Sequence, residues 1–145
     1  MTDSKQTLEL LIQKRDFVTH ILNATKSTSF AGTEEDAVAY IDLMDERQSL
    51  FDQIIALDNE LQSPEHQNIL AAADADLLKQ IEDITENIKR ESQAIIALDQ
   101  ANQPIVEQIK AKLSAQIKDV RQGKNLNNMY QATVPHSTGQ FDTSK

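Results

Sequence analysis

No cysteine occurs in the 145 residues. Disulfides and thiolate nucleophiles are therefore excluded, and the chain suits a reducing compartment. Glycine and proline occur three times each, and aromatic residues make up only 4%. A β fold needs turn residues and β-branched or aromatic strands, so this scarcity predicts an all-α protein. Positive charge is also short: 14 Lys and Arg stand against 23 Asp and Glu, a net charge of −9. Such a chain lacks the cations that replace counterions along phosphates, so no nucleic acid is expected as partner, and an anionic membrane surface is disfavoured. Long apolar runs are missing too, and the opening MTDSKQTLELLIQKRD meets charge within a few residues. Neither a signal peptide nor membrane insertion is expected, and the predicted location is cytoplasmic.

What is present is helix-forming. Ala, Leu, Ile, Gln, Glu and Lys dominate, and the 39% hydrophobic content suits one domain with a modest core. The apolar spacing predicts an elongated antiparallel helical hairpin or bundle of three main helices, near 4–26, 34–61 and 76–122, with a short turn or helix at 64–73. The first carries Leu8, Leu11, Ile12, Val18, Ile21 and Leu22 on one face. Thr33 reads as the N-cap of the second, with Glu34 and Glu35 where the helix dipole favours acids. Two adjacent seams run along that second helix. One is Tyr40, Leu43, Arg47, Leu50, Ile54, Leu57 and Leu61; the other is Ala37, Ile41, Met44, Gln48, Phe51 and Ile55. Together they make a stripe wide enough to touch two neighbours. Ser63 and Pro64 then read as the cap and first position of the next element.

The longest stripe runs from Leu77 through Ile81, Ile84, Ile88, Glu91, Ile95, Leu98, Asn102 and Ile105 to Ile109, then shifts through Leu113 and Ile117 to Val120. Pro104 predicts a kink or break near Asn102, and Gly123 a stop. The domain reading is a helical body over 1–123 and a flexible C-terminal tail over 124–145. That tail nets +1 from Lys124, Lys145 and Asp142, which leaves −10 for the body. Polar residues at Arg47, Gln48, Glu91 and Asn102 interrupt the seams, where such residues fix register or mark a seam that faces solvent or a partner.

Catalytic chemistry finds no purchase. His20, His66 and His136 sit in separate segments without metal-ligand spacing and read as surface histidines. No phosphate-binding loop or nucleophile elbow is present, and the carboxylates of EEDAVAYIDLMDE read as a solvated helix face. No enzymatic activity and no cofactor are expected. The stretch IVEQIKAKLSAQIKDV is more suggestive, because Ile105, Ile109, Leu113, Ile117 and Val120 share one face. Either this face packs on the first helix, or it is a groove for a helix of another protein. Met129, Tyr130 and Phe141 punctuate the polar tail, where they would lie over that groove or be read by a second partner.

The segment YIDLMDERQSLFDQIIALDNEL, from Tyr40 to Leu61, and the ending with Tyr130, Gly139, Phe141, Asp142 and Lys145 carry a resemblance. In these residues, and in its acidic, cysteine-free, helical make-up, the chain resembles the FlgN/FliT-type flagellar export chaperones of bacteria. The resemblance implies a type III secretion chaperone that binds the C-terminal amphipathic helices of late flagellar proteins, such as hook-filament junction or filament-cap proteins. It implies that the chaperone prevents their premature assembly and delivers them to the export apparatus, a tail tyrosine serving as docking anchor. It implies no nucleotide and no metal, and a monomer or weak homodimer. The alternative reading is a self-associating coiled-coil adaptor or scaffold.

Overall fold

A computed structural model describes the backbone of residues 2–131 and the side chains of residues 2–118. Four helices make up the described chain: α1 (Ser4–Ser27), α2 (Glu35–Leu61), α3 (Pro64–Ala71) and α4 (Ala75–Gln131). The all-α expectation holds, and the first three boundaries fall within a few residues of the spacing-based ones.

Local chemistry sets the starts. Asp3 caps α1 in a reciprocal box: its carboxylate accepts from the Gln6 backbone N–H, and the Gln6 side chain accepts from that of Asp3, both at 2.9 Å. Thr33 sits one residue before the boundary position, which Glu34 holds without a side-chain bond, yet its hydroxyl does the capping expected of it by accepting from the Glu35 backbone N–H at 3.3 Å. The loop is also held from inside the helix. The buried carboxylate of Asp36 reaches back to accept from Ala31 N at 2.9 Å and Gly32 N at 2.8 Å. Gly32 has φ of +81°, a conformation that an L side chain rarely tolerates, which suits glycine at that turn. Pro64 starts α3 where its missing N–H has no intrahelical partner to lose.

The chain divides into two compact units, Met1–Gln103 and Pro104–Lys145. In the first, α1 and α2 run antiparallel, as the ion pair Lys14–Asp58 at 2.8 Å and the contact His20–Glu46 at 2.9 Å require. The α4 segment up to Gln103 completes a bundle whose centre is Val18, Ile21 and Leu22 of α1, Leu50 of α2 and Ile95 of α4. Phe17, Ile54, Ile88, Ala94 and Leu98 pack around it. In the second unit the described backbone is one helical stretch, from Pro104 to Gln131.

Two expectations about α4 are corrected. The helix is continuous through Pro104, so of the kink or break expected near Asn102 the break does not occur. An interior proline removes one backbone donor and crowds the carbonyl four residues before it, a cost of about 3 kcal/mol that the many other turns of so long a helix can outweigh. Gly123 is not a stop either, since α4 continues to Gln131. Glycine inside a helix costs about 1 kcal/mol relative to alanine, which weakens a helix without ending it.

Candidate functional site

The first seam of α2 is the core seam. Leu43, Arg47, Leu50, Leu57 and Leu61 are buried, and Tyr40 and Ile54 half-buried. The helix touches two neighbours as expected, α1 and α4, but without using its second seam. Ile41, Gln48, Phe51 and Ile55 are exposed, Ile55 to 54%, while Ala37 and Met44 are half-buried. The reason is geometric: in this unit the helices that supply the core, α1 and α4, both meet α2 on its first seam.

Two polar interruptions pair across helices, as register-fixing residues do. Arg47 of α2 donates through Nη1 and Nη2 to the two carboxylate oxygens of Asp99 on α4, each at 2.9 Å. Its guanidinium also lies over the Phe51 ring, 5.8 Å from the centroid. Glu91 of α4 accepts from Thr19 of α1 at 2.6 Å. Gln48 instead faces solvent and donates to Asp52 on its own helix at 2.9 Å.

His66 corrects the reading of three surface histidines. It is buried, with Nδ1 only 2.6 Å from Oγ1 of the buried Thr7, and so ties α3 to α1. Thr2 and Glu65 are hydrogen-bonded beside it. The sequence offered one usable signal: His66 falls in the first turn of a helix announced by Ser63 and Pro64, too short to stand without a tertiary anchor. His20, by contrast, is exposed, and His136 lies outside the described residues.

The proposed groove residues fall on α4 beyond Pro104, at four-residue steps from Ile105 to Ile117 and a three-residue step to Val120, which keep neighbours on one face. Ile109 is 4% exposed, Ile105 and Leu113 are half-buried, and Ile117 is 53% exposed. The side chains of Val120, Met129 and Tyr130 lie outside the described residues, as does Phe141 altogether. Tyr130 nevertheless has a backbone position, in the last turn of α4. Thirteen residues of helix backbone separate Ile117 from Tyr130, a rise of about 20 Å.

Among the described residues no cluster of three or more His, Cys, Asp or Glu side chains is arranged to hold a metal ion. None of the described helices is long and apolar enough to cross a membrane. No protein-family model, curated protein or solved structure matches the chain.

Proposed function

We propose that the protein is a binding protein rather than an enzyme, a chaperone for amphipathic helices. It holds the C-terminal helices of late flagellar proteins, of the hook-filament junction or filament-cap kind, and hands them to the type III export apparatus. The observation that supports this most is the apolar row on α4, which grades from buried Ile109 to open Ile117 on a chain of net charge −9. An apolar face at helical spacing offers the groove side of a helix-in-groove contact, and acidity keeps such a face soluble. A contact of about 800 Å² per partner suffices for micromolar binding where a few apolar anchors fit. The flagellar identity of the client rests on the resemblance of Tyr40–Leu61 and of the chain's ending. On this reading Tyr130, at the far end of α4, is presented for docking on the export apparatus.

Isothermal titration with C-terminal segments of hook-filament junction and filament-cap proteins tests the proposal. Micromolar or tighter binding is expected, weakened tenfold or more by Ile117→Glu. Tyr130→Ala is expected to spare binding and lower export. Absence of binding to either segment overturns the reading. A stable oligomer whose mass is independent of concentration in sedimentation favours a scaffold instead.

A further inference from the structure

The second seam of α2 has the spacing of a coiled coil. Ile41, Met44, Gln48, Phe51 and Ile55 alternate by three and four, which assigns Ile41, Gln48 and Ile55 to a positions and Met44 and Phe51 to d positions. This is the period that one helix uses to meet another, yet in the Met1–Gln103 unit the seam is left open. One flank merges with the core seam through Arg47 and Ile54. Across from that flank, α4 adds Ile96, 54% exposed and one turn before Asp99, on the side of α4 that meets Arg47. The other flank, at the e positions, carries exposed Asp45 and Asp52.

We propose that this seam is a docking site for a basic amphipathic helix of another protein. The partner lays apolar a and d side chains along Ile41, Phe51 and Ile55 and sets Lys or Arg opposite Asp45 and Asp52. The flanking charges select this partner over a second copy of the chain. An antiparallel pair of copies brings e positions against e positions, so that Asp45 faces Asp52 and repels it. A parallel pair sets Asp52 opposite a g-position Arg47 that is buried and already held by Asp99. Only a basic helix supplies the cations that both aspartates lack. The site uses different residues from the α4 face assigned to clients and does not depend on that assignment.

Fluorescence anisotropy with two synthetic three-heptad peptides tests this. Both carry leucine at a and d; one has lysine at e and g, the other glutamate, so that each repels its own kind. The lysine peptide is expected to bind with micromolar affinity that falls as salt rises, and the glutamate peptide at least tenfold more weakly. Ile55→Glu should weaken the lysine peptide tenfold or more with the melting temperature unchanged, since Ile55 is not in the core. The double variant Asp45→Lys, Asp52→Lys should invert the preference between peptides, while Ile117→Glu should leave binding intact. Equal binding of the two peptides overturns the proposal, as does binding that survives both Ile55→Glu and the charge reversal. Loss of binding in Ile117→Glu moves the peptide to the other face and overturns it too. A wild-type dimer in sedimentation that Ile55→Glu dissolves makes the occupant a second copy, and the proposal fails.

Discussion

Arg47 and Asp99 form a two-pronged ion pair between α2 and α4 in which the partners are unequally buried. The Arg47 side chain retains 11% of its exposure and Asp99 retains 44%. Arg47 Nε is buried without a hydrogen-bond partner. The cation therefore carries most of the desolvation cost, and its two bonds to Asp99 offset it.

Removing each partner should have different consequences. Asp99→Ala strands a nearly buried guanidinium and is expected to cost about 1.5–3 kcal/mol. Arg47→Met keeps the volume, deletes the unpartnered Nε and leaves Asp99 free to hydrate, so it should cost less than Asp99→Ala. Urea unfolding of the two variants gives the comparison, and a larger loss for Arg47→Met would contradict the asymmetry.

The Thr7–His66 contact anchors an eight-residue helix that cannot persist by itself. Thr7→Val preserves shape and deletes the hydroxyl, leaving a buried imidazole nitrogen unpaired, at an expected cost of about 1–3 kcal/mol. Amide exchange should accelerate in α3 more than at Ile21 or Leu50. Uniform acceleration would mean that α3 is not separately anchored.

Ile109 and Ile117 lie two helical steps apart on the same face of α4 but differ in exposure, 4% against 53%. Ile109→Glu buries a carboxylate at a position that is 4% exposed and should cost several kcal/mol. Ile117→Glu should change stability by less than about 0.5 kcal/mol. Thermal melts separate the two, and equal losses would mean that Ile117 is core and not open for binding.

Gly123 distinguishes a helix interior from a helix end. Within a continuous α4, Gly123→Ala should add helix stability of up to about 1 kcal/mol and raise helicity by circular dichroism. At a left-handed stop the same change would be destabilising, because alanine resists positive φ. A fall in helicity would restore the boundary that the sequence pattern suggested.

The order of helices was legible in the chain itself, because it follows from short-range rules. Apolar residues at three-four spacing gave α1, α2 and most of α4, and Ser63 with Pro64 announced α3. That α2 carries an apolar stripe through Leu43, Leu50, Leu57 and Leu61 was also readable, from their three-four spacing. Local signals were weaker where they carry a cost and no instruction. Pro104 and Gly123 each penalise a helix by a limited amount, and whether that ends it depends on the helix formers around them.

The sequence by itself determined an acidic, cysteine-free, all-α protein with wide apolar helix faces. Tertiary structure decided which part of those faces stays open. Both seams of α2 are apolar and heptad-spaced, so periodicity alone cannot rank them; α1 and α4 packing on one leaves Ile41, Phe51 and Ile55 in water. Burial of His66 against Thr7, and of Arg47 against Asp99, was likewise undetermined by spacing. Each is a contact between residues more than fifty positions apart, and only the folded chain brings such groups within hydrogen-bonding distance.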